Sequence, residues 1–171
     1  MLTDRWSTIT EVLRVWLAGV LADPYPNIQV RVEHEGVTDD CPAIARVVYA
    51  GSEPYLGADG IAGWRSEGCC PVWIDRWRIE VVACAMAADQ FGRVLPAEED
   101  LAFNLQEVAS FLFQSFAADV DAVRDPDPLA ATGSDGLPAL EAVTPIDPQG
   151  GVAGYALVVR YVRLLPALET P

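Results

Sequence analysis

His34 is the only histidine of the 171-residue chain, so any Ser/His/Asp or Cys/His arrangement for nucleophilic catalysis has to pass through it. It stands between Glu33 and Glu35 at the end of a strand-like run, the address of a solvated side chain rather than of a general base. The four thiols are Cys41, Cys69, Cys70 and Cys84. Adjacent Cys69 and Cys70 do not make the C-x-x-C pair of redox chemistry, and a zinc site wants two spaced pairs or histidine partners. In extended chain their side chains point to opposite sides and cannot jointly grip one ion. Free thiols are therefore expected, with no zinc and no intrachain disulfide. The carboxylate groups Asp39-Asp40 and Glu98-Glu99-Asp100 are sequence neighbours in a loop and at a helix start, where solvation and the helix dipole account for them. A phosphate-binding loop would need a lysine, and the chain has none. Gly57, Gly60 and Gly63 open no helix and so make no dinucleotide fingerprint. Of the five tryptophans, Trp6 and Trp16 fall on the apolar face of a helix and read as core. The expectation is a protein that is not an enzyme and takes no cofactor.

Charge narrows the partners. Twenty-five acidic residues face 11 basic ones, for a net charge of −14, and every basic residue is a scattered arginine. A phosphate-backbone binder draws on clustered Lys and Arg, so specific nucleic-acid binding and attachment to anionic lipid are not expected. A mean hydropathy of +0.21 is high for so charged a soluble chain. It suits a protein that buries extra apolar surface against copies of itself or partners while acidic faces keep the free subunit soluble. The longest apolar stretches, Val108–Ala118 and Gly150–Val159, fall short of the ~20 residues of a membrane span. Asp4, Arg5, Glu11 and Arg14 interrupt the N-terminal apolar positions, which is not the pattern of a secretory leader. A cytosolic chain, without a membrane, is the expectation.

The elements that would position these residues follow from periodicity. Trp6, Ile9, Leu13, Trp16, Leu17 and Val20 recur at helical spacing over Thr3–Leu21, with Thr3 or Asp4 as cap and Asp23-Pro24-Tyr25-Pro26 as stop. Asn27–Glu33 alternates as a half-buried strand, and Ala43–Ala50 makes a second. Gly51–Gly68 reads as a long glycine-punctuated loop. Val72–Met86 is the strongest strand, with Trp73, Trp77, Ile79, Val81 and Ala83 on one face and Ile74, Arg76, Arg78, Glu80, Val82 and Cys84 on the other; at ~3.3 Å per residue it is long enough to protrude from the sheet or bend. A second helix starts near Pro96 and buries Leu101, Leu105, Val108, Leu112 and Phe116. Asp125-Pro-Asp-Pro128 closes it, and Ala130–Gly136 reads as a surface loop. Leu140–Thr144 and Ala153–Leu164 form a final hairpin. The order α-β-β-β-α-β-β gives one α+β domain over 1–171, two helices on one face of a mainly antiparallel sheet, with an inserted loop at 51–68 and a loose tail at 166–171.

That order in a small acidic chain resembles the tail terminator (tail completion, neck) proteins of long-tailed bacteriophages. The likeness spans nearly the whole chain. It rests on the N-terminal amphipathic helix, the strand Trp73–Ala85, the helix Leu101–Val123 and the closing run Gly150-Gly-Val-Ala-Gly-Tyr-Ala-Leu-Val-Val-Arg-Tyr. It departs from simpler members in the Gly51–Gly68 loop and in the extended segment before the last strand. The resemblance implies a structural virion protein of the tail and neck. Such a protein forms a homo-oligomeric ring, usually a hexamer, that caps the tail tube, ends its polymerisation and offers the head-docking surface. Its partners would be the major tail tube protein and a head-closure or connector protein, with DNA passing an acidic lumen that repels phosphates rather than binding them. A head-closure (stopper) or other neck ring is the alternative, and a small-molecule enzyme or binding protein using the Trp-bearing loop a third. Tyr55, Leu56, Ile61 and Trp64 on that loop lack a periodicity that would place them in the core, so they are expected to contact a neighbouring subunit or the tube. The opposite expectation is that the loop folds back and buries Trp64.

Overall fold

A computed structural model describes residues 2–31, 43–54, 72–84, 96–126, 136–146 and 152–164. The elements run α1 (Leu2–Leu21), β1 (Gln29–Arg31), β2 (Ile44–Pro54), β3 (Val72–Cys84), α2 (Pro96–Ala118), a 3-10 turn (Val120–Val123), β4 (Ala139–Ile146) and β5 (Val152–Leu164). Two helices and a mixed five-stranded sheet make the chain α+β. The sheet order is β1-β2-β3-β5-β4, with β1 parallel to β2 and the other three pairings antiparallel.

Strand register sorts the side chains into two faces. On one, Ala45, Val47, Trp77, Ile79, Val81, Ala83, Leu157, Val159 and Tyr161 join a single core with Ile9, Leu13, Trp16, Leu17 and Leu21 of α1 and Leu105, Val108, Ala109, Leu112 and Phe116 of α2. Both helices therefore lie on that face. Their apolar stripes meet where Trp16 sets its ring edge-on to Phe116, centroids 5.4 Å apart. Trp77 is fully buried, its Nε1–H donating to Thr10 Oγ1 at 3.0 Å while Tyr49 and Tyr161 stand edge-on to it. The Tyr161 hydroxyl donates to the Val123 carbonyl at 2.7 Å, fastening the 3-10 turn to β5.

Several boundaries differ from the periodicity reading. α1 begins at Leu2, so Thr3 and Asp4 lie in its first turn instead of capping it. The first strand starts at Gln29 rather than Asn27 and pairs with β2 over Gln29–Arg31, while Val32 and Glu33 lie outside the described residues. The residues 51–54, read as loop, continue β2 and pair with β3 as far as Pro54. β3 does not protrude past its neighbour: β5 matches it residue for residue over 13 positions. The second helix stops at Ala118, with Val120–Val123 tightening into the 3-10 turn. Gly136, read as the end of a surface loop, is buried, and its carbonyl accepts the Asp125 N–H at 2.9 Å. Its φ of +74° suits glycine. The loop residues Tyr55, Leu56, Ile61 and Trp64, together with His34, Cys41, Cys69, Cys70 and the tail at 166–171, lie outside the described residues.

Candidate functional site

Two β-bulges organise the polar side chains of the sheet. On β2 the register shifts between Tyr49 and Gly51, so Ala50 and Gly51 together oppose Arg76, and Gly51 takes a φ of +114°. The extra residue reverses the alternation of everything after it. Ser52 turns to the helix-covered face and Glu53 to the other. On β4 a second shift, between Leu140 and Ala142, inserts Glu141.

On the helix-covered face, Ser52, Asp75 and Tyr161 form one rung across three strands. Ser52 Oγ–H donates to Asp75 Oδ1, and the Tyr49 and Ser52 hydroxyls share a hydrogen bond. Tyr49 is stacked on Trp6 at 5.0 Å. Asp75 is fully buried, and the cost of burying a carboxylate is offset only by such hydrogen bonds. Among the described residues no imidazole stands beside this serine and carboxylate to relay a proton. The cluster's chemistry is that of a buried clasp that holds the bulged end of β2 to β3. Neither Asp75 nor Ser52 stood out in the sequence, because the bulge hides their common face.

The opposite face, which neither helix covers, carries the charges. Its rungs read Ile44–Val82–Gly154, Arg46–Glu80–Ala156, Val48–Arg78–Val158, Gly51–Arg76–Arg160 and Glu53–Ile74–Val162. Ile44, Val82 and Ala156 are fully buried at one end. Beyond them, Glu80, 4% exposed, takes Arg46 Nε at 2.8 Å and Arg78 Nη2 at 3.0 Å. Arg76 is clamped between the two bulges' glutamates, with Glu53 at 2.7 Å from β2 and Glu141 at 2.7 Å from β4. The same Glu141 lies 3.5 Å from Arg160, which faces Arg76 directly across β3 and β5. Hydrogen bonds first from Glu141 and then from Glu53 hold the Arg76 proton more tightly than usual.

With Arg31, which pairs with Arg46 from β1, five arginines against three glutamates make this region cationic in a chain of net charge −14. Half-buried Val48, Val158 and Val162 lie between the guanidiniums. Reading β3 alone had placed Arg76, Arg78 and Glu80 on one face; Glu53 and Glu141 were missed because both depend on bulges.

The helical layer offers the complement. Among the described residues the exposed large apolar side chains are Val15 on α1, Phe113 on α2 and Val143 on β4. No group of three or more His, Cys, Asp or Glu among the described residues is placed to hold a metal ion, and no described helix is long and apolar enough to cross a membrane. The chain matches no family model and no curated protein sequence.

Proposed function

We propose that this chain is a structural subunit of the neck of a long-tailed phage, of the tail-terminator kind. It assembles with its own copies into a ring that caps the tail tube, ends tube growth and receives the head-side connector. The observation that carries the reading is the two-sided plate. Its main core lies between the sheet and two helices, while the second sheet face buries Ile44, Ile74, Val82 and Ala156 and gathers five arginines, and the helices expose Val15 and Phe113. A subunit that presents unlike surfaces on its two sides is built for head-to-tail contacts, which close into rings when the rotation permits. The element order in an acidic, arginine-only chain adds the likeness to terminators, and the net charge of −14 suits a channel that DNA crosses without being held.

The test is tube assembly. Purified major tail protein is polymerised with and without this chain, and tube lengths and ends are imaged. The proposal expects shorter tubes, each with a ring of this protein at one end. Tubes of unchanged length with bare ends would refute it, and a ring found instead on the head vertex would assign it to a head-closure role.

A further inference from the structure

We infer that the arginine-bearing sheet face of one copy is the seat for the outer surface of the helical layer of the next copy. The inference rests on the ring reading above and names its contact. The two surfaces lie on opposite sides of the same plate, so joining them is a front-to-back, heterologous contact that each new copy can repeat.

Charge and shape both favour this pairing. The described helical layer carries Glu11, Asp23, Glu107, Asp119 and Asp121 on exposed positions, against Arg14 and Arg124. Five carboxylates to two arginines make it acidic, where the sheet face has five arginines to three glutamates. Two further arginine–carboxylate pairs, Arg14–Glu11 and Arg124–Asp121, are local to that layer and leave Asp23, Glu107 and Asp119 as its surplus. On the sheet face Arg78 and Arg160 are the more exposed guanidiniums, at 39% and 41%, and so are the ones that an incoming carboxylate reaches.

The apolar anchors match too. Val15 is 57% and Phe113 44% exposed. Trp16 and Phe116 touch, and Val15 and Phe113 lie within one helical turn of that contact, so they stand at one level of the layer. On the sheet face Val48 and Val158 flank Arg78 on its own rung, apolar surface beside a guanidinium stem. An exposed aromatic laid on such a surface is the usual anchor of a protein interface.

The experiment uses two variants and their mixture. Val15→Asp with Phe113→Asp spoils the helical layer and leaves the sheet face intact. Arg78→Glu with Arg160→Glu does the reverse. Sedimentation of each alone should give the 18.5 kDa monomer, with circular dichroism and melting close to the wild type for the first variant. Their equimolar mixture should give a dimer and nothing larger, because one good contact survives and cannot propagate. A single conservative variant, Arg78→Lys, which keeps the charge, should retain the multimer. Variants that keep the wild-type mass would overturn the inference while leaving the ring reading intact. So would self-association of the first variant through its sheet face, or of the second through its helices, since either shows a like-to-like contact. A wild-type chain that is itself monomeric at every concentration would overturn both. Salt-dependent retention of duplex DNA that is lost in the arginine variant, with the multimer unchanged, would give the sheet face to nucleic acid instead.

Discussion

Glu141→Gln isolates the charge network of the uncovered sheet face. Glu141 Oε2 accepts from Arg76 Nε at 2.7 Å, while Oε1 receives Arg76 Nη2 at 3.3 Å and lies 3.5 Å from Arg160 Nη1. Glutamine keeps the shape and can accept one of these bonds, but it leaves two guanidiniums facing each other across β3 and β5 with one carboxylate, Glu53, on the far side of Arg76. A hydrogen bond to a charged group contributes ~1.5–3 kcal/mol when well shielded, whereas an exposed ion pair gives only ~0.2–1 kcal/mol. Side-chain exposures of 24% for Glu141 and 28% for Arg76 place this pair between those limits. The expected loss is therefore about 1–2 kcal/mol, or roughly 2–8 °C in melting temperature for a domain of this size. The assay is thermal and urea unfolding of wild type and variant at one protein concentration, repeated at low salt and near 1 M salt. There screening acts within ~3 Å and should shrink the difference. A loss under about 0.2 kcal/mol, below the range for even exposed pairs, would refute the clamp, and a loss indifferent to salt would show that it is not electrostatic.

Gly154→Ala should be far more damaging. A Cβ there would stand 2.0 Å from the Val81 carbonyl oxygen and 2.8 Å from Val82 Cα, so the central β3–β5 pair must part, at or above the ~1–3 kcal/mol of overpacking; a variant that melts with the wild type would contradict this. Trp77→Ala empties the centre of the core and should cost ~3–5 kcal/mol, read by urea unfolding; a loss under ~1 kcal/mol would mean that the Trp77 site collapses or was never tightly filled. Burial first, and Glu107 second, raise the Tyr25 phenol above its ordinary 10.0. The folded state then holds that proton more tightly than the unfolded one, so stability is full below pH 10 and falls as pH rises through the folded value. Tyr25→Phe should lose less stability than the wild type in alkaline unfolding titrations, and identical slopes would refute the assignment.

Legibility in the sequence followed the regularity of the backbone. The stripe Ile9–Leu13–Trp16–Leu17 is set by helical period alone and lies in the core as read. The two faces of β3 follow from period two, so Trp77 and Ile79 were separable from Arg76, Arg78 and Glu80 without knowing what they touch. What could not be read depends on an extra residue or a long-range partner. Ser52 and Glu53 exchange faces because of the bulge at Ala50–Gly51, and Glu141 enters the network through the bulge on β4. Asp75 is tolerated at zero exposure because Ser52 donates to it there, with the Tyr49 hydroxyl bonded to Ser52 in turn. The start of β1 at Gln29 is set by its pairing with Ile44, a fact about another segment. Pro145 sits inside β4, where local propensity argues against a strand, because β4 is the sheet edge and an edge residue need not donate on its outer side.

The central claim is that the chain works as a ring of its own copies. Its most direct test is the native mass of the full-length protein, by sedimentation over a wide concentration range with imaging of the same sample. The account predicts a closed multimer of one defined stoichiometry, about six copies by likeness to terminators and consistent with repeated head-to-tail contacts. An 18.5 kDa species at every concentration, alone and in the presence of tail tubes, would contradict it.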